Sequence, residues 1–250
     1  QNELTTYRDE KGKPYSATYL KTINNQITAI FNYAVKFYGL KENPCHKAGS
    51  MGKKNAEEML FWTKDEFLQF IGAVKDRPVT YAIFMTLYYT GMREGELLAL
   101  TPADIDQEKQ TVRINKSFQR LKGRDVITTP KTPKSIRTVT IPKVLCDCLK
   151  DYMAQCYELQ PEDRLFPYGK SYLYREIVRG CKLSGVKKIR VHDLRHSHAA
   201  ALIAMNVAPK LLQERLGHER IQTTLDTYGH LYPNAQAEVA RQLEDFMSES

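Results

Sequence analysis

Between His192 and Tyr228 the chain gathers side chains suited to handling a phosphate: H-D-L-R-H-S-H from His192, P-K-L-L-Q-E-R-L-G-H ending at His218, and T-T-L-D-T-Y ending at Tyr228. His192 and Arg195, three apart on one helix, share a face with about 5–6 Å between them, so they can grip one anion together. Pro209 sits where a helix starts and Gly217 where one stops, which puts His218 on a tight turn and Tyr228 near the end of another short element. Two imidazoles, a guanidinium and a phenol thus return toward one place. The guanidinium offers a planar fork matched to phosphate, and the imidazoles offer hydrogen bonds or proton shuttling near neutral pH. The phenol, with an ordinary pKa of about 10, becomes a nucleophile once nearby cations favour its phenolate.

The order H-x-x-R, L-G-H, Y resembles the carboxy-terminal signature of the tyrosine recombinases, or phage-type integrases. The residues that this family carries upstream are also present. T-G-M-R-E-G-E places Arg93 where the family has its first catalytic arginine, and T-P-K-T-P-K-S-I-R-T-V places Lys131 where it has a lysine on a β-hairpin. The resemblance runs from about Ser16 to Val239, and the stretches T-L-D-T-Y-G-H-L and Y-S-A-T-Y-L-K-T-I-N-N-Q look most like integrases of phages and conjugative transposons from Gram-positive bacteria.

The resemblance implies a catalytic set of Arg93, Lys131, His192, Arg195, His218 and Tyr228. It implies a site-specific recombinase that cleaves and rejoins double-stranded DNA through a 3′-phosphotyrosyl link, integrating or excising a mobile element. Neither metal, ATP nor any other cofactor takes part in that chemistry. Lys131 is the expected acid for the leaving 5′ oxygen, with Lys134 as its competitor. The resemblance further implies a cytoplasmic protein on bacterial nucleoid DNA that assembles as a dimer per site and a tetramer in synapse, through a carboxy-terminal helix.

Other readings use the same residues differently. His192, Asp193 and His196 could be the metal cluster of a hydrolase, since histidines four apart on a helix bind zinc in H-E-x-x-H motifs. Helices over 193–205 and 209–216 could form the helix-turn-helix of a non-catalytic regulator, and a type IB topoisomerase would share the active-site chemistry. The first two leave Arg93, Lys131 and Tyr228, or Lys131 and Tyr228, without a task. Outside the metal reading, His196 and His198 are expected to be structural, and Arg93 could simply pair with Glu94 or Glu96.

The elements that must position these groups are mainly helical. From the N-cap Ser16, apolar residues at Leu20, Ile23, Ile27, Ile30, Ala34 and Phe37 describe one long helix ended by Gly39, with Lys21, Asn24, Asn25, Asn32 and Lys36 off its stripe. Thr63 and Glu66 form a capping box that opens a larger domain. Its next helix, Val79 to Thr90, is nearly all apolar. Between Thr111 and Ile141 β-branched residues replace the helical pattern, which predicts a small antiparallel sheet. After Pro233 a stripe of Ala235, Val239, Leu243 and Phe246 predicts a last helix.

The fold class is therefore mainly α with a small antiparallel sheet. Residues 1–45 are read as the later part of a helical, SAM-like core-binding domain, 46–60 as a linker and 61–250 as the catalytic domain. The chain opens on Gln1 in a polar stretch without a helix start, so it is read as a fragment of something longer.

Charge agrees with a polyanionic partner. The net charge is +8, and it is concentrated: residues 11–54 hold eight lysines against Glu42 alone, and residues 113–137 hold eight Lys or Arg against Asp125 alone. Lys21, Asn25, Lys36, Lys47, Lys53, Lys54 and Lys134 are the expected DNA contacts beyond the active site. No long uncharged apolar run could span a membrane, and the five cysteines include no C-x-x-C pair, so neither structural zinc nor a disulfide framework is implied.

Overall fold

The computed structural model describes residues 1–53, 59–130, 132–232, 244, 245 and 248. Lys54, Lys131 and the apolar stripe expected after Pro233 lie outside them. The chain divides into two compact units, Gln1–Glu58 and Met59–Ser250.

The first unit holds α1 (Asn2–Thr6), α2 (Ala17–Phe37) and α3 (Pro44–Ala48). A short helix therefore occupies the opening residues where none was expected; the Thr5 and Thr6 hydroxyls donate back to the Asn2 carbonyl within it. Ser16 caps α2 by accepting the Tyr19 N–H. Residues 49–53, placed in the expected linker, lie back on the first turns of α2: the Lys53 N–H donates to the Ala17 carbonyl. A Cβ on Gly52 would stand 2.0 Å from that carbonyl oxygen, so only glycine fits.

This return explains two departures from the expected helix faces. Asn24, expected among the outward residues, is buried because its side chain accepts the Met51 N–H at 3.1 Å. Ile30 and Phe37, expected on the inward stripe, are 66% and 57% exposed, because the return covers only the first half of α2.

The second unit opens with α4 (Lys64–Ala73), capped by the expected Thr63 and Glu66 box. The buried α5 (Pro78–Thr90) and the short α6 (Glu94–Leu98) follow. The β region resolves into two sheets rather than one. Strands β1 (Ile105–Asp106), β2 (Thr111–Ile114) and β5 (Arg137–Thr140) form an antiparallel sheet in the order β1-β2-β5, while β3 (Ser117–Leu121) and β4 (Arg124–Thr128) form a separate hairpin. The β3 strand escapes a β-branched pattern because it reads S-F-Q-R-L and buries Phe118 alone.

Helices α7 (Lys143–Ala154) and α8 (Lys170–Ser184) complete the main core with α4 and α5. Then come α9 (Asp193–Ala204), α10 (Pro209–Leu216) and α11 (Ile221–Tyr228). Ala199, Ile203, Leu212, Leu216 and Tyr228 form a second, smaller cluster across these three helices.

One turn is decisive for the site. Gly91 ends α5 with φ +63°, in the left-handed region, and a Cβ there would come within 2.5 Å of the His198 ring and 3.0 Å of Leu216. Gly91→Ala should therefore lose about 1–3 kcal/mol of stability, from backbone strain and overpacking together. Gly229→Ala, with nothing within 4 Å of its Cβ, should change stability by less than about 0.5 kcal/mol. Urea unfolding midpoints of the two variants check the contrast.

Candidate active site

Each reactive side chain sits at an element end that its sequence dictates. Arg93 is the N-cap of α6, two residues beyond the Gly91 turn. His192 caps α9, so it precedes that helix instead of lying within it, and Arg195 stands in its first turn. Gly217, left-handed at φ +67°, stops α10 and turns His218 inward. Tyr228 closes α11.

Arg195 is 3% exposed and donates to two main-chain carbonyls, Gly91 at 2.8 Å and Leu216 at 2.6 Å. Arg93 is more open, with 40% of its side chain exposed, and pairs with the Glu96 carboxylate at 2.9 Å. The ion pair foreseen for Arg93 therefore exists, in a site that also holds Arg195, His218 and Tyr228. Glu96 bridges Arg93 to the buried Arg137, which binds the same carboxylate at 2.9 Å. Sequence reading passed over both Glu96 as an organiser and Arg137 as a third guanidinium; the one available signal was a glutamate three residues after Arg93, at N-cap spacing.

Tyr228 is 1% exposed, and its hydroxyl lies 2.8 Å from His196 Nδ1. His196 was expected to be structural, but among the described residues it is the imidazole hydrogen-bonded to the phenol. The His218 ring lies parallel to that of Tyr228 with centroids 6.5 Å apart, and its Nδ1 bonds the Thr224 hydroxyl at 2.8 Å. The His192 ring stands edge-on to His196 at 5.4 Å. His198 fits its structural expectation, buried and accepting from Arg215 Nε at 3.1 Å.

The electrostatics correct one expectation. Burial pushes the Tyr228 phenol up to about 12 against the lowering pull of Arg195 and Arg93. The two arginines therefore do not by themselves make a phenolate at neutral pH. Burial, with Arg93 and Arg137 nearby, brings Arg195 down to about 9, still cationic at neutral pH. Burial and the neighbouring His192 pull His196 to about 4, and burial with Arg195 and Arg93 pulls His218 to about 3. Partial desolvation of its ring and then Arg195 lower His192 as well. Burial tends to raise Glu96, but Arg137 and then Arg93 outweigh it and hold the carboxyl below its ordinary range. At rest the site holds neutral imidazoles, a neutral phenol and fixed guanidinium charge.

The proposed metal cluster has its donors engaged elsewhere. The Asp193 carboxylate accepts Arg190 Nη2 at 2.8 Å, His196 Nδ1 faces Tyr228, and among the described residues no three His, Cys, Asp or Glu stand together as a metal site. As for a regulator, helices occupy both expected positions, but that reading gives no task to Tyr228, whose hydroxyl lies 2.8 Å from His196 Nδ1.

The residues expected to touch DNA divide by unit. In the first unit Lys21 donates to Ser50, Asn25 and Lys53 are exposed, Lys36 lies over the Phe37 ring, and Lys47 pairs with Glu42. In the second unit Lys134 donates to the Glu219 carbonyl, one residue from His218.

A model of the phage integrase family matches residues 61–235. The chain is 38% identical over 244 residues to the ICEBs1 integrase of Bacillus subtilis (strain 168), covering 91% of this chain and 66% of that protein. It is 27% identical over 276 residues to the integrase of Staphylococcus phage L54a, covering 96% and 78%. In fold it is similar to the Tn1549 transposon integrase in complex with a circular intermediate DNA, with a TM-score of 0.73 and 23% identity over 95% of this chain and 81% of that one. The XerA recombinase is also similar, with a TM-score of 0.59 and 26% identity over 76% and 65%. The chain thus spans about two thirds of the first of these relatives.

The neutral, buried histidines set a pH dependence of stability. His198, pulled to about 3 by burial and then by Arg215, refuses a proton that the unfolded chain accepts below about pH 6.5. Stability should be fully present above that pH and fall as pH drops toward 3, by about 1.4 kcal/mol per pH unit for this one group. Urea titrations between pH 7 and 4.5 should show a shallower slope for His198→Gln than for the parent, even though the variant is less stable at pH 7.

Proposed function

The chain belongs to the phage integrase family, and on that premise we propose that it is a site-specific DNA recombinase that cleaves and rejoins double-stranded DNA through Tyr228. The observation that carries the reading is the convergence of Arg93, Arg195, His196 and His218 on one buried phenol, with His192 one ring further out against His196. In this scheme Tyr228 attacks the scissile phosphorus, a 3′-phosphotyrosyl bond forms and a 5′-hydroxyl departs. A 5′-hydroxyl from a second duplex reverses the step, so strands are exchanged without an external energy source.

Arg93 and Arg195 neutralise the non-bridging oxygens as charge builds there. Glu96 supports this by holding the Arg93 fork, and preorganised donors of this kind are typically worth about 10²–10³ in rate each. His192 and His218 donate hydrogen bonds to the same phosphate. Lys131 serves as the acid for the leaving oxygen, with Lys134 as the competing candidate.

The first unit supplies a helical core-binding part, residues 1–45, whose exposed Asn25 and Lys36 meet phosphates together with Lys21, while Lys47, Lys53 and Lys54 do so from the linker. The protein works on DNA in the bacterial cytoplasm as a dimer per site and a tetramer in synapse, joined through the segment after Tyr228. The Tn1549 integrase in complex with a circular intermediate DNA supports the DNA partner, and a lambda integrase dimer bound to a core site supports the dimer; the tetramer rests on the resemblance alone.

The test uses nicked duplexes of randomised sequence around the nick, from which wild-type protein selects the sequences that it captures covalently. Adducts should form in EDTA and vanish in Tyr228→Phe; an adduct that survives this substitution, or one that needs added metal, removes the reading. On the selected duplex Arg93→Ala should bind within about tenfold of wild type yet cleave about 10²-fold more slowly or worse. Arg195→Ala should lose stability as well as cleavage, because Gly91 and Leu216 lose their shared donor. Replacing the leaving 5′ oxygen by sulfur removes the need for an acid, so it should rescue Lys131→Ala and leave Arg93→Ala defective. Rescue of Lys134→Ala instead would move the acid three residues along.

A further inference from the structure

The proposed chemistry leaves one proton without a destination. Tyr228 begins as a neutral phenol, so its proton must leave as the oxygen bonds to phosphorus. The resemblance to recombinases brought His192 and His218 to the site, but neither accounts for that proton. His218 spends its Nδ1 on Thr224 and lies ring-parallel to the phenol with centroids 6.5 Å apart. The His192 ring meets the edge of His196 rather than the phenol.

His196 has the required geometry. It stands one helical position past Arg195 on α9, and its Nδ1 is 2.8 Å from the phenolic oxygen, within the range for direct proton transfer. Its ring meets that of Tyr228 at a steep 62°, so the contact runs through the nitrogen rather than through a stacked face.

We propose that His196 is the proton acceptor for the Tyr228 nucleophile, a catalytic role in the recombinase reaction proposed above and resting on that reading. The bonds balance as follows. The Tyr228 oxygen forms its bond to phosphorus, its proton passes to His196 Nδ1, and the bond from phosphorus to the 5′ oxygen breaks, that oxygen taking a proton from the site's acid. In the return step the incoming 5′-hydroxyl attacks, the bond from phosphorus to the phenolic oxygen breaks, and His196 hands its proton back to that oxygen.

The charges around His196 bear on when the proton moves. His192, Arg195 and Arg190 disfavour an imidazolium there, and Asp193 favours it; from α11 the phenol itself faces the ring. In the unfilled site the imidazole is accordingly a weak base and the phenol a weak acid. A bound phosphodiester adds a negative charge against the arginines, which favours the imidazolium. The phenolic oxygen also grows more acidic as its bond to phosphorus forms. Transfer is therefore concerted with attack and needs the phosphate in place, which keeps an exposed phenolate from forming on a protein without DNA.

The test measures single-turnover adduct formation on the selected nicked duplex, with DNA binding followed by gel shift and folding by thermal unfolding. His196→Ala removes the ring. His196→Asn keeps a hydrogen-bonding atom near the position of Nδ1 but offers no basic nitrogen. Both should cleave about 10²-fold more slowly or worse with binding unchanged, and added imidazole should restore part of the rate to His196→Ala and none to Tyr228→Phe. Near-wild-type cleavage by His196→Asn would overturn the proposal and leave only a hydrogen bond that aims the phenol. Faster cleavage by His196→Ala would overturn it too, making the contact a latch on the nucleophile. If wild-type protein forms no Tyr228 adduct on any duplex, the recombinase reading itself has failed, a result distinct from either of these.

Discussion

The buried guanidinium of Arg195 is the constraint on which the second unit depends. Taking a full charge out of water costs several kcal/mol unless it is compensated, and Glu96, a carboxylate near enough to act on it, is already committed to Arg93 and Arg137. The compensation comes from two helix ends. The carbonyl of Gly91 terminates α5 and that of Leu216 terminates α10, so Arg195 sits where two helices present unsatisfied carbonyls and the negative ends of their dipoles. Both helices must stop on these residues for this to work. Left-handed glycines, Gly91 itself and Gly217 after Leu216, stop them.

From that anchor the rest of the site follows at short range. The turn at Gly91 delivers Arg93 two residues later, and the turn at Gly217 delivers His218 one residue later. Glu96 then converts a loose arginine into an aimed one: it takes Arg93 from one side and Arg137 from the other, and it also accepts the Arg93 N–H at 2.8 Å. A single carboxylate among three guanidinium groups leaves the site positive, as a phosphate requires, while it limits their mutual repulsion.

Much of this was legible in the sequence because it is local. Ser16, the Thr63 and Glu66 box, Pro209, Gly91 and Gly217 mark helix ends within a turn or two of themselves, and the reactive residues follow those marks. What could not be read are the partners brought together by the fold. His196 and Tyr228 are 32 residues apart and Arg137 and Glu96 are 41 apart, so no periodicity links them. A histidine on a helix rich in alanine is as easily a packing residue as a proton acceptor until the facing element is known. The same reasoning explains Asn24: off the apolar stripe it looked outward, but a returning loop needed its side chain. The β3 strand carries no β-branched residue of its own; pairing with β4 decides that strand rather than its propensity.

The site also divides by depth. Arg93 and His192 are open to solvent, whereas Arg195 and Tyr228 form a floor that solvent hardly reaches. In the proposed reaction a phosphodiester rests on the open groups first and meets the phenol only when the cover over Tyr228 gives way. Part of that cover is the chain that follows, because Leu231 and Tyr232 pack on the same small cluster as Tyr228, and the Tyr232 hydroxyl donates to the Val207 carbonyl at 3.2 Å. The tie is weak: a typical hydrogen bond contributes about 0.5–1.5 kcal/mol net, against the much larger burial that holds α5 and α9. In the proposed reaction, a force on the chain beyond Tyr232 would therefore loosen the cover well before it disturbed the Arg195 anchor, uncovering Tyr228 while Arg195 stays in place.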